Sequence, residues 1–398
     1  MSDALLSINA GSSSIKFGLF TADEAVMPIA RGALEGIGSA PRLVVHNATG
    51  TLLAERRWGH AVELTHEAFL DAILDWIEGH LAPARLVATG HRIVHGGTSF
   101  GDPVVATPAI LDQLAALSPL APLHQPHNLA AVRAAARLRR HLPQILCFDT
   151  DFHRSRPPVA TRFCLPHALE RDGIRRYGFH GLSYDYIAHR LGEIDPKLAR
   201  SRVIVAHLGN GASLCAMADG RSIDTTMSFA TLDGLMMGTR CGAIDPGVLL
   251  YLQQAKGMSV DEVSDLLYHR SGLLGVSGIS SDMRNLLASG EPRAKMAVEL
   301  FAYRVAREAC ALAGSLEGLD GFIFTAGIGE NAAPVRAAIS ARLAWLGVVL
   351  DDEANERAAP IISTADSPVC VRIVSTDEEL MIARHSRSLL AAASQVRL

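Results

Sequence analysis

Apolar and polar residues alternate with a period of two in several short stretches, which is typical of β-strands with one buried face. The first of these stretches flank the turn formers Gly11-Ser12-Ser13-Ser14, and later ones flank Gly209-Asn210-Gly211-Ala212. Each turn therefore predicts a β-hairpin, one near the start of each half of the chain. The predicted strands are Leu5 to Ala10, Ile15 to Phe20, Arg202 to Leu208, Ser213 to Ala218 and Ser222 to Met227.

Helical periodicity follows each hairpin and leads into another apolar strand. In the first half, a helix from Leu70 to His80 precedes a strand from Leu86 to Gly90, and in the second half a long helix precedes a strand from Gly321 to Thr325. The repeated order indicates a weak internal duplication of an α/β domain, with mixed sheets, helices on their faces and a cleft between the halves. The apolar face of the long helix is predicted to comprise Val298, Phe301, Val305, Ala309 and Leu312.

The chain length and one proline pair suggest where the domains divide. A length of 398 residues indicates two or three domains at ~150 residues each. The pair Pro157-Pro158 interrupts both periodicities, which indicates a boundary between Asp149 and Pro158. We expect a first domain over residues 1–150, a second over residues 151–384, and a C-terminal helix over residues 385–398 that returns to the first domain.

Composition excludes several classes of protein. Hydrophobic residues make up 49% and charged residues 20%, so disordered and fibrous classes do not fit. The net charge of −4 lacks the basic excess of a nucleic-acid binder, and no apolar run approaches the ~20 residues of a membrane span. The first residues lack a secretory signal, so we expect a cytoplasmic protein. Six cysteines without CxxC spacing predict reduced thiols rather than zinc ligands or disulfides.

The two glycine-rich turns present backbone N–H groups and hydroxyls that can bind an anion, and two such turns facing one cleft suggest phosphates. An ordinary hairpin is the alternative for each turn, as a solvated strand lysine is for Lys16. A P-loop is excluded, because the residues around Lys16 alternate like a strand instead of opening a helix. Gly327-Ile328-Gly329-Glu330-Asn331 follows an apolar strand and precedes a predicted helix, so its glycines permit close approach of a flat ring or a phosphate. Glycine is also common in such turns for backbone reasons alone.

Four further side chains are candidates for chemistry. Arg92 and Arg240 lie among glycines and small residues, where a guanidinium fork can reach a carboxylate or phosphoryl group, although a structural ion pair is the alternative. His180 is flanked by glycines and could instead be a core histidine. Asp149 ends an apolar strand, the position of a functional carboxylate or of a cap.

The segment Ser375-Thr376-Asp377-Glu378-Glu379 opens the last predicted helix. One glutamate is expected to complete a capping box, Glu379 if Thr376 is the N-cap and Glu378 if Ser375 is. The other glutamate would then be free to bind a metal ion.

Taken together, these segments closely resemble the acetate kinase family, in order and with compatible spacing from residue 9 to residue 380. The matching motifs are Asn9-Ala10-Gly11-Ser12-Ser13-Ser14-x-Lys16, Gly90-His91-Arg92, His95-Gly96-Gly97, Pro119 to His124, Phe148-Asp149-Thr150, Tyr177-Gly178-Phe179-His180-Gly181, His207-Leu208-Gly209-Asn210-Gly211, Gly234 to Arg240, and Gly327 to Asn331.

The resemblance implies the fold shared by acetate and sugar kinases, heat-shock ATPases and actin, in which two duplicated ribonuclease-H-like domains close around ATP. It also implies a homodimer that uses Mg²⁺, with Mn²⁺ as an alternative, to transfer a phosphoryl group reversibly between ATP and acetate. The implied metal-site residues are Asn9 and Glu378, and the implied catalytic residues are Asp149, His180 and Arg240. The implied substrate-binding residues are Arg92, Val94, Leu123, Phe179 and Thr231. The implied ATP-binding residues are Ser12, Ser14, Lys16, His207, Leu208, Gly209, Asn210, Gly211, Asp282, Met283, Arg284, Gly327, Ile328, Gly329, Glu330 and Asn331.

The implied chemistry is consistent with these residue types. Cationic donors and a metal ion stabilise the charge on a phosphoryl group in transfer, and acetate is already ionised at neutral pH, so it needs no general base. The family assigns Asp149 an acid/base role, but we expect it to orient Arg240 or a magnesium-bound water.

The sequence departs from the family pattern at three places. Thr231 replaces a proline that forms one wall of the pocket for the substrate methyl group, which leaves propionate as an alternative substrate. Leu182-Ser183-Tyr184 replaces Thr-Ser-His, and Asp377 replaces an asparagine. Two alternatives remain besides propionate: a sugar or butyrate as the phosphoryl acceptor, and a non-enzymatic, actin-like scaffold that binds nucleotide.

Overall fold

The computed structural model of the chain describes residues 3–11, 14–59 and 65–395. The strands are β1 (Ala4–Ala10), β2 (Ser14–Thr21), β3 (Pro28–Glu35), β4 (Arg42–Asn47), β5 (Leu52–Arg57), β6 (Leu86–Ile93), β7 (Val104–Val105), β8 (Gln144–Phe148), β9 (Arg202–Leu208), β10 (Ala212–Ala218), β11 (Arg221–Thr225), β12 (Gly321–Thr325) and β13 (Cys370–Ile373). The helices are α1 (His66–Leu81), α2 (Pro108–Ala115), α3 (Gln125–Leu138), α4 (His167–Arg171), α5 (Gly181–Ile194), α6 (Pro196–Ala199), α7 (Pro246–Gln254), α8 (Val260–His269), α9 (Gly272–Ser277), α10 (Met283–Ala288), α11 (Pro292–Ser315), α12 (Ala326–Asn331), α13 (Ala333–Arg342), α14 (Asp352–Glu356) and α15 (Glu378–Gln395).

The chain divides into two units. The first unit contains Met1–Asp151 and Asp377–Leu398, and the second contains Phe152–Thr376. The limits expected from the sequence are 1–150, 151–384 and 385–398. The return to the first unit in the structure starts at Asp377, one residue before α15 begins.

A mixed sheet forms the centre of the first unit. Within the described residues its strand order is β5-β4-β3-β2-β1-β6-β8-β7. Strands β1 to β5 are antiparallel neighbours, and β6 then joins β1 in parallel and β8 joins β6 in parallel. The first predicted hairpin is confirmed, with Asn9 opposite Lys16. Strand β6 continues past its predicted end at Gly90, because Arg92 remains paired with Cys147 of β8.

Helices cover both faces of this sheet. On one face Phe69, Ile73 and Ile77 of α1 are buried in a cluster with Ile8 and Phe17 of the hairpin. On the other face α15 packs on β1 and β6. The approach of α15 is so close that a Cβ atom added at Gly90 would lie 2.4 Å from Ser386 Oγ and 2.5 Å from Ile382 Cγ2. Only glycine fits at this position, since any side chain would push α15 away from the sheet.

The second unit repeats this topology. Its described strands follow the order β11-β10-β9-β12-β13, in which β9 to β11 are antiparallel and β12 and β13 are added in parallel. The order matches β3-β2-β1-β6-β8 of the first unit, so the expected duplication of a mixed α/β fold is confirmed. Strand β11 ends at Thr225 rather than at the predicted Met227. The chain bends at Thr226, where the Leu214 carbonyl accepts from both the Thr225 hydroxyl and the Thr226 amide.

Helix α11 is the long helix predicted in the second half. Phe301, Val305, Ala309 and Leu312 are buried as expected. Val298 is only half-buried, and Ala297 lies on the buried face instead, so the predicted face was wrong by one residue at this end. Across the described residues, no helix, α11 included, combines the length and the unbroken apolar character that a bilayer span requires.

Candidate active site

The Arg92 guanidinium lies near the carboxyl end of β6, where it is held on two sides. Its Nε and Nη2 atoms donate to Asp149 Oδ2 at 2.9 and 2.5 Å, and its Nη1 donates to Asn9 Oδ1 at 3.2 Å. Burial alone would lower the pKa of Arg92, but the charges of Asp149 and Glu378 outweigh burial and raise it. The structure pairs Asp149 with Arg92, whereas we expected it to orient Arg240 or a magnesium-bound water.

The topology brings Arg92 and Asp149 together. Strands β6 and β8 are parallel neighbours, so the residues at their carboxyl ends meet at one edge of the sheet. Asn128 of α3 fixes this edge, since its amide donates to the Ala10 carbonyl at 2.7 Å and its oxygen accepts from the Val94 amide at 3.0 Å. Sequence reasoning missed Asn128, and an isolated asparagine in an otherwise amphipathic helix gives little signal.

Val94 and Leu123, two of the predicted substrate contacts, lie in this first unit. Val94 follows Arg92 at the edge and is buried, whereas Leu123 is half-buried just before α3. Gln125 holds the two segments together, because its side chain exchanges hydrogen bonds with the backbone N–H and carbonyl of His95.

The first turn of α15 carries the carboxylates of the candidate metal site. Asp377 is the N-cap of this helix, with its Oδ1 accepting from the Leu380 amide at 2.9 Å and its Oδ2 paired with Arg31. The predicted capping box, with Ser375 or Thr376 as the N-cap, was therefore wrong. Neither Glu378 nor Glu379 is used as a cap, because the residue before them already supplies the capping oxygen.

Asn9 and Glu378 are neighbours, as Asn9 Nδ2 donates to Glu378 Oε2 at 3.4 Å. Burial, Glu378 and Asp377 together raise the pKa of Glu379. The described residues contain no group of three or more histidine, cysteine or acidic side chains that could hold a metal by themselves. One or two carboxylates with an amide oxygen do suit Mg²⁺, which keeps several waters and usually shares its shell with substrate phosphates. The donor set here fits that ion.

The first hairpin turn adds one cation to this group. The Gly11 amide donates to the Ser14 carbonyl at 2.8 Å, which closes the turn, and the predicted contact Ser12 lies outside the described residues. Lys16 is exposed on β2 directly opposite Asn9, so both side chains project from the same face of the sheet. Its charge also acts on Glu379.

The turn between β9 and β10 lies beside one arginine and two histidines. The Gly209 amide donates to the Gly211 carbonyl at 3.0 Å, which makes the turn tight. A Cβ atom added at Gly211 would lie 2.9 Å from Arg240 Nη2 and 3.4 Å from His180 Nε2, so both groups face this glycine. His180 and His207 stack with their ring centroids 4.2 Å apart. The structure thus brings together three predicted residues from separate parts of the sequence.

Arg240 is held in place from its backbone and from its side chain. The Gly238 amide donates to the Asn210 carbonyl at 3.0 Å, and the amides of Ser271 and Leu273 at the start of α9 donate to the carbonyls of Thr239 and Met237. The Arg240 Nη1 atom donates to the carbonyl of Thr231, a buried residue. This network aims the guanidinium at the turn and gives the backbone of Thr231 a structural role.

A buried histidine supports the segment before His180. Gly178 has a φ of +88°, and a Cβ there would lie 2.6 Å from the ring of His153, so the position requires glycine. His153 Nε2 donates to the Phe179 carbonyl at 2.9 Å, and its Nδ1 accepts from Ser222 at 2.8 Å. Burial and the charge of Arg156 lower the pKa of His153 to about 3. Sequence reasoning missed the supporting role of His153. The neighbouring Phe179, a predicted substrate contact, is fully buried.

A cavity of about 820 Å³ adjoins the same turn, and its size suits a nucleoside. The predicted ATP contacts that line it are Gly209, Asn210, Asp282, Met283, Arg284, Gly327, Ile328 and Asn331. The lining residues that sequence reasoning missed are Ser281, Leu287 and Ala332. The structure therefore gathers three separate predicted segments around one cavity.

Within the segment Gly327–Asn331, two predicted ATP contacts, Gly329 and Glu330, lie away from the cavity lining. The Gly327–Asn331 segment belongs to the short helix α12 instead of forming a loop before a helix. Gly329 is buried on the inner side of α12, and Glu330 Oε1 accepts from the amides of Ala326 at 2.8 Å and Thr376 at 3.4 Å. Glu330 therefore holds backbone in place rather than facing the cavity.

Known proteins resemble this chain along nearly all of its length. The acetokinase family profile matches residues 4–384. The acetate kinase of Rhodopseudomonas palustris (strain ATCC BAA-98 / CGA009) is 52% identical over 391 residues, which cover 97% of this chain and 98% of that protein.

Two solved structures share the fold. A propionate kinase from Francisella tularensis subsp. tularensis SCHU S4 has a TM-score of 0.89 and 36% identity, covering 97% of this chain and 99% of that one. The acetate kinase of Porphyromonas gingivalis has a TM-score of 0.86 and 35% identity, covering 98% and 100%. With matches of this extent in sequence and in fold, the chain belongs to the acetokinase family.

Proposed function

We propose that this enzyme transfers the γ-phosphoryl group of ATP reversibly to acetate. An acetate oxygen forms a bond to the γ-phosphorus, the bond to the ADP oxygen breaks, and acetyl phosphate and ADP result. The observation that carries the proposal is the convergence of Arg240 Nη2 and His180 Nε2 on Gly211, beside a cavity that is large enough for a nucleoside.

Phosphoryl transfer requires donors that neutralise negative charge, because both reactants are anions. We assign Arg240 and His180 to the equatorial oxygens of the transferring group, and His207 and the Gly209–Gly211 turn to the phosphates of ATP. One arginine in such a position accounts for roughly 10³ to 10⁵ in rate in other phosphoryl-transfer enzymes. No general base is needed, since acetate is ionised at neutral pH.

Arg92 is assigned to the carboxylate of acetate. Its described hydrogen bonds to Asp149 and Asn9 engage three of the five guanidinium N–H groups, which leaves two for a bidentate contact with a carboxylate. Asp149 is thus proposed to position Arg92 rather than to act as an acid or base. Val94, Leu123, Phe179 and Thr231 are proposed to contact the methyl group.

Asn9 and Glu378 would hold Mg²⁺, with Lys16 and Glu379 nearby. When bound, the ion supplies a positive charge that orients and neutralises the phosphates. Asn9 and Glu378 contribute the oxygen donors, and the Asp377 cap fixes the first turn of α15, which carries Glu378.

Acetate is favoured over propionate because the curated relatives at 42–52% identity are acetate kinases. One additional methylene changes binding in an apolar pocket by ~1–3 kcal/mol, so we expect kcat/KM for propionate to be about 10- to 100-fold lower. A kcat/KM for propionate equal to or above that for acetate would contradict this preference.

The proposed function is tested with purified protein, ATP, Mg²⁺ and acetate, with acetyl phosphate trapped by hydroxylamine. We expect product formation, a loss of at least 10³-fold in kcat for Arg240→Ala with little change in ATP affinity, and a raised acetate KM for Arg92→Ala. Arg357→Ala, at an exposed arginine paired only with Glu353 among the described residues, is the matched control. Absence of acyl phosphate, or phosphorylation of hexoses instead, would refute the proposal.

We further propose a cytoplasmic homodimer. Sedimentation equilibrium should give twice the 42.4 kDa mass of one chain, with or without ATP. Nucleotide-driven polymers would instead support an actin-like scaffold.

A further inference from the structure

Each of the two stacked histidines is the end of a chain of hydroxyl groups. His180 Nδ1 lies 2.8 Å from Ser213 Oγ, and that oxygen lies 2.5 Å from Tyr184 Oη. His207 Nδ1 lies 2.8 Å from Ser183 Oγ, which lies 2.8 Å from Thr376 Oγ1. Strands β9 and β10, helix α5 and its N-cap residue His180 supply the first chain and both rings, so the arrangement is part of the folded core of the second unit.

The first chain has a fixed hydrogen-bond direction. Tyr184 is fully buried, and burial raises its pKa well above the usual value, so it keeps its proton. In the part of the chain that the structure describes, Ser213 Oγ is the hydrogen-bond partner of the phenol. A buried O–H donates wherever it can, so Tyr184 donates to Ser213 and the serine must direct its own hydrogen to His180 Nδ1.

The direction of this chain determines which nitrogen of His180 carries a hydrogen. When Nδ1 accepts, the neutral ring carries its hydrogen on Nε2. Nε2 is the atom that faces Gly211 beside Arg240 Nη2. The second chain gives no such assignment, because the Thr376 side chain is only partly buried and its hydroxyl can donate elsewhere.

We propose that Tyr184 is a positioning residue for phosphoryl transfer, which acts through Ser213 to keep the hydrogen of His180 on Nε2. The proposal rests on the proposed function, in which His180 Nε2 donates to the transferring phosphoryl group. A donor that carries no positive charge also suits this place, because the Arg240 guanidinium already faces the same glycine.

The experiment compares Tyr184→Phe, Ser213→Ala and the double variant. Phenylalanine keeps the ring, which lies in a buried cluster with Ile187 and Leu191, so the fold should survive. We expect Tyr184→Phe to lower kcat about tenfold, with the KM values for ATP and acetate unchanged, because the Nε2 donor is lost from most of the molecules. Because Tyr184 acts through Ser213, the double variant should be no slower than Ser213→Ala alone. Tyr186→Phe, on the same helix, is the matched control.

A second readout does not depend on turnover. Long-range ¹H–¹⁵N spectra of enzyme labelled at histidine report the tautomer of each ring, with the His180 signals identified by their loss in His180→Gln. The wild type should show the hydrogen on Nε2, and Tyr184→Phe should show a population with the hydrogen on Nδ1.

An unchanged tautomer in Tyr184→Phe, or kinetic losses that add in the double variant, would overturn the proposal. Wild-type enzyme that makes no acetyl phosphate would overturn the proposed function instead, while the spectra would still decide whether Tyr184 sets the tautomer.

Discussion

Replacing Gly211 with alanine would place a methyl group against the two side chains that face the β9–β10 turn. The new Cβ would lie 2.9 Å from Arg240 Nη2, and ordinary contact begins at 3.4 Å, so the guanidinium end must move by about half an ångström. The hydrogen bond from Nη1 to the Thr231 carbonyl anchors one end of the guanidinium, so we expect Nη2 to move by rotation about that end. Misplacement by 1 Å can reduce the rate 10²-fold, so we expect kcat to fall about tenfold, which is ~1.4 kcal/mol in the barrier.

The fold should tolerate this change, because the atom that must move is the end of a flexible side chain. We expect the free energy of unfolding to change by less than about 0.5 kcal/mol. Steady-state kinetics and urea unfolding are measured side by side, with Gly192→Ala as the matched control, since a Cβ there meets nothing within 4 Å. Unchanged kcat in Gly211→Ala would refute the assignment of Arg240 and His180 to the transferring group.

Three other changes test other parts of the site and of the core. Asp149→Ala should raise the KM for acetate at least tenfold and lower the free energy of unfolding by about 3 kcal/mol, because it leaves the largely buried Arg92 without its main partner. Steady-state kinetics and urea unfolding measure the two effects. An unchanged KM would contradict the positioning role of Asp149. Glu378→Gln should weaken Mn²⁺ binding at least tenfold in titrations followed by electron paramagnetic resonance, and equal binding would place the metal elsewhere. Burial lowers the pKa of His91 to about 4 and that of His153 to about 3, whereas both histidines take up protons near pH 6.5 in the unfolded chain. The free energy of unfolding should therefore decrease as the pH falls, by about 2 kcal/mol for each histidine at pH 5. In urea unfolding, His91→Gln should make the free energy of unfolding depend less steeply on pH between pH 7 and pH 5.

Local pattern predicted the strands and the repeated order of elements well. Alternation at Leu5–Ala10 and at Arg202–Leu208 is a property of neighbouring residues, and the turns between the strands carry glycine and small polar residues that favour hairpins. The same reasoning located β12 and β8, whose residues are all buried. Ends of elements were less predictable, because β6 continues only through its pairing with β8, which the sequence does not show.

Side-chain partners were the part that local pattern could not supply. Arg92 and Asp149 are 57 residues apart, and only the parallel pairing of β6 and β8 brings them together. Asp377 was overlooked as the helix cap because three consecutive residues before Glu378 can all cap a helix, and only the backbone geometry selects one. The resemblance to a family indicated which residues form the site, but it did not show which of their side chains are hydrogen-bonded to each other.

The position of α15 has a consequence for how the molecule is made. Its residues Met381, Ile382 and Ala383 are buried in the first unit, yet the ribosome adds them only after the whole second unit has been synthesised. The sheet of the first unit is synthesised first, so one of its apolar faces stays uncovered until α15 has been synthesised. Glu378 arrives with the same helix, so under the proposed function the nascent chain lacks one of the two metal-site residues until α15 has been synthesised.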